Sequence, residues 1–236
     1  MTQPAPRRWL VSADLGQAAD PTAIGLFERL PTHDVVRSLE RPDLGTPYTD
    51  IVRRLGAIVR NPALSDGVDL LLDATGVGRP VVDLAREELR GVPGVRLVAI
   101  VIGSGITAQQ NATTGYWTVP KKVLVVSMQV ALQTRKLRVA QGLALASTLV
   151  DEMRAFKLKV SVDTGHASFE AWRSGDHDDL VLMAAMGAWW SSRLTRPAAP
   201  QGSDEAAEVK AEMLRRQAKR LKEQRERARV QPWRRG

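Results

Sequence analysis

Cysteine is missing from all 236 residues of the chain. That excludes disulfides, thiolate catalysis and a Cys-ligated zinc site, and it is compatible with an intracellular protein. No apolar run approaches the ~20 residues that a membrane-spanning helix needs, so no membrane partner is expected. Met1 to Arg8 holds no apolar h-region, so no secretory signal is visible. No internal repeat appears. Hydrophobic residues make up 44% of the chain, as in a globular protein, and the length suffices for one sizeable domain plus an appendage.

The formal charge is +8. Residues 197–236 carry 11 Lys/Arg against 6 Asp/Glu, net +5, which leaves net +3 for everything before them. A basic excess concentrated in a tail points to a polyanionic partner, with a merely solvated tail as the alternative. Pro197 to Gly202 reads as a linker. Asp204 to about Arg229 is strongly helix-forming, yet Val209, Met213 and Leu221 are nearly its whole apolar stripe. The expected organisation is therefore a domain over 1–196 and a basic linker and helical tail over 197–236.

The most informative stretch is Gly175-Asp176-His177-Asp178-Asp179, which runs straight into the nearly all-apolar Leu180 to Trp190. A helix apolar on every side is a buried one. The acids then sit at its N-terminal mouth, where free N–H groups and the helix dipole favour negative charge. One Asp suffices for a cap. Asp176, Asp178 and Asp179 together exceed that need and ask for a cation, with capping plus a solvated loop as the alternative.

Further acids close other buried elements. Trp9-Leu10-Val11-Ser12-Ala13-Asp14 reads as a strand ending in a carboxylate, and Val68-Asp69-Leu70-Leu71-Leu72-Asp73 reads as another. Between them, Thr22 to Glu28 and Val35 to Glu40 continue an antiparallel meander. Thr46-Pro47 starts a helix to about Arg60, with Thr as N-cap and Ile51, Leu55, Ile58 and Val59 on one face. Pro80 opens a second helix, with Val82, Leu84, Ala85 and Leu89 toward the core. Val95 to Ile102 is a central parallel strand.

Gly103 to Trp117 is a long polar stretch, and a loop of that length is usually functional or disordered. Tyr116 and Trp117 end it, and anchoring the loop on the core is the expected role ahead of packing on DNA. Helices follow over Val119 to Thr134 and Ser147 to Lys157, a short hairpin over Val160 to Ala171, and the core helix to about Leu194. The order β-β-β-α-β-α-β followed by helices predicts an α/β three-layer fold with a mixed five-stranded sheet.

With adjacent strands, Asp14 and Asp73 approach at one sheet edge, and the acidic helix mouth packs against the same edge. Carboxylates brought together repel unless a cation holds them, and Mg²⁺ or Mn²⁺ takes oxygen ligands. Two such ions about 4 Å apart stabilise the attacking and leaving oxygens of a phosphodiester displacement.

The pattern resembles the nuclease domain of the large terminase subunit of tailed phages, in the RNase H-like superfamily. The matching pieces are Ala13-Asp14-Leu15-Gly16-Gln17 with Asp20-Pro21-Thr22-Ala23, Leu72-Asp73-Ala74-Thr75-Gly76-Val77-Gly78, Val119-Pro120-Lys121-Lys122 and Gly175-Asp176-His177-Asp178-Asp179-Leu180-Val181. Leu149, Glu152, Met153 and Phe156 resemble the segment before the last motif. The resemblance covers about residues 8 to 194. It implies an RNase H-like fold and a metal-dependent endonuclease that cuts viral concatemeric double-stranded DNA for genome packaging with two ions, Mg²⁺ or Mn²⁺. Asp14 and Asp73 match the first two metal ligands and the Asp178-Asp179 pair the last. Asp179 ranks first of that pair and is expected to be catalytic with Asp14 and Asp73. Asp178 is a second ligand candidate, and His177 is a cap or a weaker ligand.

No Gly-x-x-x-x-Gly-Lys-Ser/Thr phosphate loop is present, and Thr75-Gly76-Val77-Gly78-Arg79 has neither its lysine nor its spacing. The expectation is an isolated nuclease chain, or one whose motor is another polypeptide. Its partners are then duplex DNA with a separate packaging ATPase, small terminase subunit or portal, in the host cytoplasm. Lys121 and Lys122 at a helix start, with Arg135, Lys136 and Arg138 after that helix, are candidates for tracking a phosphate backbone. The alternatives are an RNase H-like junction resolvase or RNA-directed nuclease, and a non-catalytic DNA- or motor-docking module.

Overall fold

The computed structural model describes residues 8–16, 20–76, 78–162 and 178–196. All lie in the first of the two units into which the chain divides, Met1–Pro197 and Ala198–Gly236. Asp176, His177 and the tail expected over 197–236 are outside the described residues.

The meander is formed by β1 (Trp9–Asp14), β2 (Ala23–Arg29) and β3 (Asp34–Glu40). Next come α1 (Tyr48–Val59), β4 (Val68–Asp73), α2 (Gly78–Glu88) and β5 (Val95–Gly103). The remainder is β6 (Gln109–Gln110), β7 (Trp117–Pro120), α3 (Lys121–Gln133), β8 (Leu137–Val139), α4 (Ala146–Val162) and α5 (Asp179–Arg193). β2 pairs antiparallel with β1 and with β3, whereas β1, β4 and β5 run parallel.

The sheet has eight strands in the order β6-β7-β5-β4-β1-β2-β3-β8, a mixed α/β arrangement as expected in kind. The strand count of five is corrected upward. The additions are the short outer strands β6 and β7, which lie within or just after the polar loop, and β8 after α3. β6 has no apolar residue, and β7 and β8 alternate over only three positions, too short a run for sequence reading to find.

Parity decides which side chains face which layer. Along β1, Val11 and Ala13 pack with Ile51, Leu55 and Val82 of α1 and α2 on one face. Leu10 packs on the other, with α3 and α5. Ser12, two residues on, donates from Oγ to the Met183 carbonyl of α5 at 2.8 Å. Side chains alternate with period two, so Asp14 belongs to the α5 face. In β4, Leu70 and Leu72 pack on the α1/α2 side and Leu71 on the α5 side. Asp69 and Asp73 share the face of Leu71, and Trp190 Nε1 of α5 donates to Asp69 Oδ2 at 2.7 Å.

α5 is therefore laid lengthwise on the sheet. It is buried at every position from Asp179 to Ser191, as its lack of a polar face requires. Two glycines let it lie close. A Cβ on Gly25 of β2 would stand 2.3 Å from Met183 Sδ, and one on Gly187 would stand 2.7 Å from Phe27 Cζ.

Three local expectations are corrected. The N-cap of α1 is Pro47, with no side-chain cap; Thr46 Oγ1 donates to the Asp43 carbonyl at 2.6 Å instead. Leu84 of α2 is exposed and Val81 is buried in its place. α4 runs on to Val162, through the residues read as the start of a hairpin. The rest of that hairpin, 163–171, lies outside the described residues.

Candidate active site

Two carboxylates reach the site from the ends of adjacent parallel strands. The β1–β4 register pairs Ala13 with Leu72, so Asp14 and Asp73 are next in line on the same face. Both are buried, and each carboxyl is near enough to act on the ionisation of the other. The turn after β4 fixes Asp73, and the turn after β1 is itself tightly held. Thr75 N donates to Asp73 Oδ1 at 2.8 Å, and Ile102 N donates to Thr75 Oγ1 at 2.6 Å. After Asp14 the chain folds back so tightly that a Cβ on Gly16 would stand 1.9 Å from the Asp20 carbonyl oxygen. Tyr48 of α1 donates its hydroxyl to the Gly16 carbonyl at 3.0 Å.

Burial pushes the Asp14 carboxyl well above the ordinary aspartate value, and contact with Asp73 and the charges of Asp178 and Asp179 push it further. Asp73 is raised as well, by burial, against the opposing pull of its Thr75 bond and of Lys121. Asp14 thus feels the charges of the other three acids from a buried position.

Asp178 and Asp179 arrive at the mouth of α5, each beside its own cation. Asp178 is the N-cap residue by position, yet its side chain caps nothing. It accepts from Lys121 Nζ at 2.9 Å through Oδ2. Asp179 is buried and accepts from Arg41 Nε at 2.9 Å, also through Oδ2. The free N–H groups of α5 go to a residue of another helix. Glu152 of α4 accepts through Oε2 from Leu180 N at 3.1 Å and Val181 N at 3.4 Å, and its Oε1 is paired to Arg41.

Glu152 and Arg41 are the site residues that sequence reading did not assign. Glu152 had a signal: it lies three residues after Leu149 and beside Met153, on the inward side of α4, where an acid needs a partner. Arg41 had none, because its partners are 111 and 138 residues away in sequence.

The basic residues expected along DNA separate into two places. Lys121, at the start of α3, lies beside Asp178 and within electrostatic reach of Asp73, and Lys122 next to it is exposed. Arg135 and Lys136 are exposed in the turn that leaves the far end of α3, about 20 Å along the helix axis. Arg138 is half-buried in β8.

Trp117 makes edge contacts with Trp189 and Trp190 at 5.5 and 6.0 Å, and the Arg193 guanidinium stacks over it at 4.5 Å. Tyr116 lies under the Arg86 guanidinium at 5.4 Å. The aromatics at the end of the long loop thus tie it to the body.

A mixed sheet, acids at the tips of two adjacent parallel strands and a buried helix opening onto them define a known architecture. The fold is that of the terminase large-subunit nuclease domain. The large terminase nuclease from thermophilic phage G20c superposes with a TM-score of 0.51 at 17% identity, over 76% of this chain and 80% of that one. The same phage nuclease with bound magnesium gives 0.50 at 20% identity, over 77% and 80%. The Mn-soaked human cytomegalovirus terminase nuclease domain gives 0.50 at 10% identity, over 78% and 83%. By sequence the chain matches no family profile and no curated protein.

Among the described residues, no group of three or more acidic or histidine side chains is gathered tightly enough to hold an ion. The donor set nevertheless fits a hard divalent cation in its chemistry. It offers oxygen donors alone, two buried carboxyls at neighbouring strand ends and two more whose charges bear on Asp14. No helix among the described residues is long and apolar enough to cross a membrane.

Proposed function

We propose that the chain is a divalent-metal-dependent DNA endonuclease of terminase type, cutting concatemeric viral DNA for packaging by phosphodiester hydrolysis. The observation that carries this reading is the burial of Asp14 and Asp73 side by side at the tips of adjacent parallel strands, with Asp179 buried at the mouth of α5. A metal-free protein gains nothing from such a pair, since each charge raises the cost of the other.

Asp14, Asp73 and Asp179 would hold Mg²⁺ or Mn²⁺, with Asp178 as a further ligand, and two ions are in keeping with four carboxylates. A divalent cation bound there supplies Lewis-acid polarisation of the phosphodiester and a water acidic enough to attack it. The chain's own residues do the rest. Asp14 and Asp73 hold the reacting centre at the sheet edge, where the Thr75 N–H fixes the Asp73 carboxylate. Lys121 stands by Asp178 with a positive charge for a phosphate oxygen, and Lys122 extends that charge to the surface. The tail over 197–236 adds sequence-independent phosphate neutralisation or contact with a separate packaging motor.

The test is cleavage of linear duplex DNA with Mg²⁺ or Mn²⁺ by wild type, Asp14→Asn and Asp73→Asn. Each substitution removes an anionic ligand at almost no change in volume. Loss of cleavage in both, with the fold retained, is the expected result. Full activity in either sinks the reading.

A further inference from the structure

Arg41 lies just past the end of β3, in the Glu40-Arg41-Pro42 corner, and its side chain is only 20% exposed. Its guanidinium spans two acids that come from different helices. Nε donates to Asp179 Oδ2 at 2.9 Å, Nη2 lies 2.8 Å from the same oxygen, and Nη2 also pairs with Glu152 Oε1. Glu152 in turn receives the two backbone N–H groups that open α5. Three elements, the β3 corner, α4 and the first turn of α5, are thus bound through one planar fork.

The Asp179 carboxylate is held on two sides. Its backbone is fixed by the turn that Glu152 caps, and its Oδ2 is fixed by Arg41. We infer that Arg41 is a positioning residue that holds Asp179 toward the two strand acids through a clamp shared with Glu152. This deepens the endonuclease reading above and rests on it.

The chemistry of the fork explains why arginine stands here. A guanidinium presents several donors in fixed directions and stays charged, so it serves two carboxylates at once and sets the angle between them. A lysine at the same place would be one point charge. Partners that orient a metal ligand typically change metal affinity or activity by about 10- to 100-fold when removed.

The competing account is that Arg41 only balances the buried charge of Glu152. Both accounts make Arg41→Met less stable, so the deciding variant is Arg41→Met/Glu152→Gln. It removes the arginine and the Glu152 charge together and leaves an amide oxygen to cap α5. Three readouts are taken on wild type, Arg41→Lys, Arg41→Met and the double variant. They are Tm in chelator, Mn²⁺ binding by electron paramagnetic resonance, and the rate of duplex cleavage.

The clamp predicts that the double variant regains the part of the lost Tm that came from Glu152 but still binds Mn²⁺ and cleaves about 10- to 100-fold less well. Arg41→Lys should keep a Tm near that of wild type and fall between the two in Mn²⁺ affinity. Recovery of Mn²⁺ affinity and cleavage along with Tm in the double variant would overturn the inference. So would wild-type Mn²⁺ affinity in a folded Arg41→Lys or Arg41→Met protein. Absence of Mn²⁺ binding by wild type itself would bring down the nuclease reading and this inference with it, and that result is distinct from the others.

Discussion

Gly187→Ala tests whether the closeness of α5 to the sheet is what sets the site. The added Cβ would stand 2.7 Å from Phe27 Cζ and 3.0 and 3.1 Å from its two Cε atoms. Carbon atoms prefer separations of about 3.5–4.0 Å, so the helix or the ring must give by roughly 1 Å. Phe27 is 1% exposed and has nowhere to go, which leaves α5 to move.

Two terms of opposite sign act on stability. Replacing a mid-helix glycine by alanine gains about 1 kcal/mol, and overpacking costs about 1–3 kcal/mol. The net destabilisation is then about 0–2 kcal/mol, a Tm fall of at most ~8 °C at this chain length. Activity should suffer far more, because α5 carries Asp178 and Asp179 at its mouth, and a misplacement of about 1 Å costs up to ~100-fold in rate. The assay is initial rate of Mn²⁺-dependent duplex cleavage beside a thermal melt. Phe27→Leu, introduced into the Gly187→Ala protein, should recover part of the rate by making room for the Cβ. A Gly187→Ala protein that is more stable than wild type and fully active would refute the claim that close packing of α5 places the acids.

The two helix-mouth acids should prove unequal. Asp179 is buried and clamped, whereas Asp178 is half-buried beside Lys121. Asp179→Asn is therefore expected to abolish cleavage, and Asp178→Asn to stay within about 10-fold of wild type; the reverse order in a cleavage assay would exchange their roles. Asp14 also makes a prediction about pH. Its folded-state pKa lies above the unfolded one, so its contribution to stability is complete below the ordinary carboxylate value and is lost as pH rises through the raised pKa. In chelator, Asp14→Asn should gain stability relative to wild type as pH goes from about 4 to about 7. Denaturant titrations showing a pH-independent difference would mean that burial and the neighbouring acids do not raise the Asp14 pKa in the folded protein.

Much of this arrangement can be read from residue order alone. Asp14 and Asp73 each close a buried strand, which places them at one sheet edge, and the Ser12–Met183 bond and the packing of Leu71 then show that this is the α5 face. The strands that carry them can be adjacent and parallel only through a crossover, and the chain supplies one in α1. What could not be read has a common cause. β6, β7 and β8 are short, and β6 and β8 lie at the sheet's two outer edges. Their existence depends on a neighbour to pair with, not on their own composition. Likewise Leu84 is exposed and Val81 buried because the packed face of α2 centres on Val81, Val82 and Ala85, a rotation about the helix axis that no single-residue propensity specifies.

The acids at the α5 mouth show where local rules mislead and why. Sequence reasoning treats an Asp before a buried helix as its cap, and counts additional acids as surplus. In the folded chain neither described acid there caps by side chain. Glu152 takes that duty from another helix, and this lends α5 the carboxylate its N-terminus favours. The consequence is functional. A capping aspartate has its oxygens turned back onto its own helix. With the cap supplied in trans, Asp178 and Asp179 keep side chains that are oriented by cations, Lys121 for one and Arg41 for the other. Residues held by ion pairs of this kind can be aimed across a gap at Asp14 and Asp73 in a way that cap residues cannot. The surplus of acid in the sequence is thus the visible trace of a capping interaction made elsewhere in the fold.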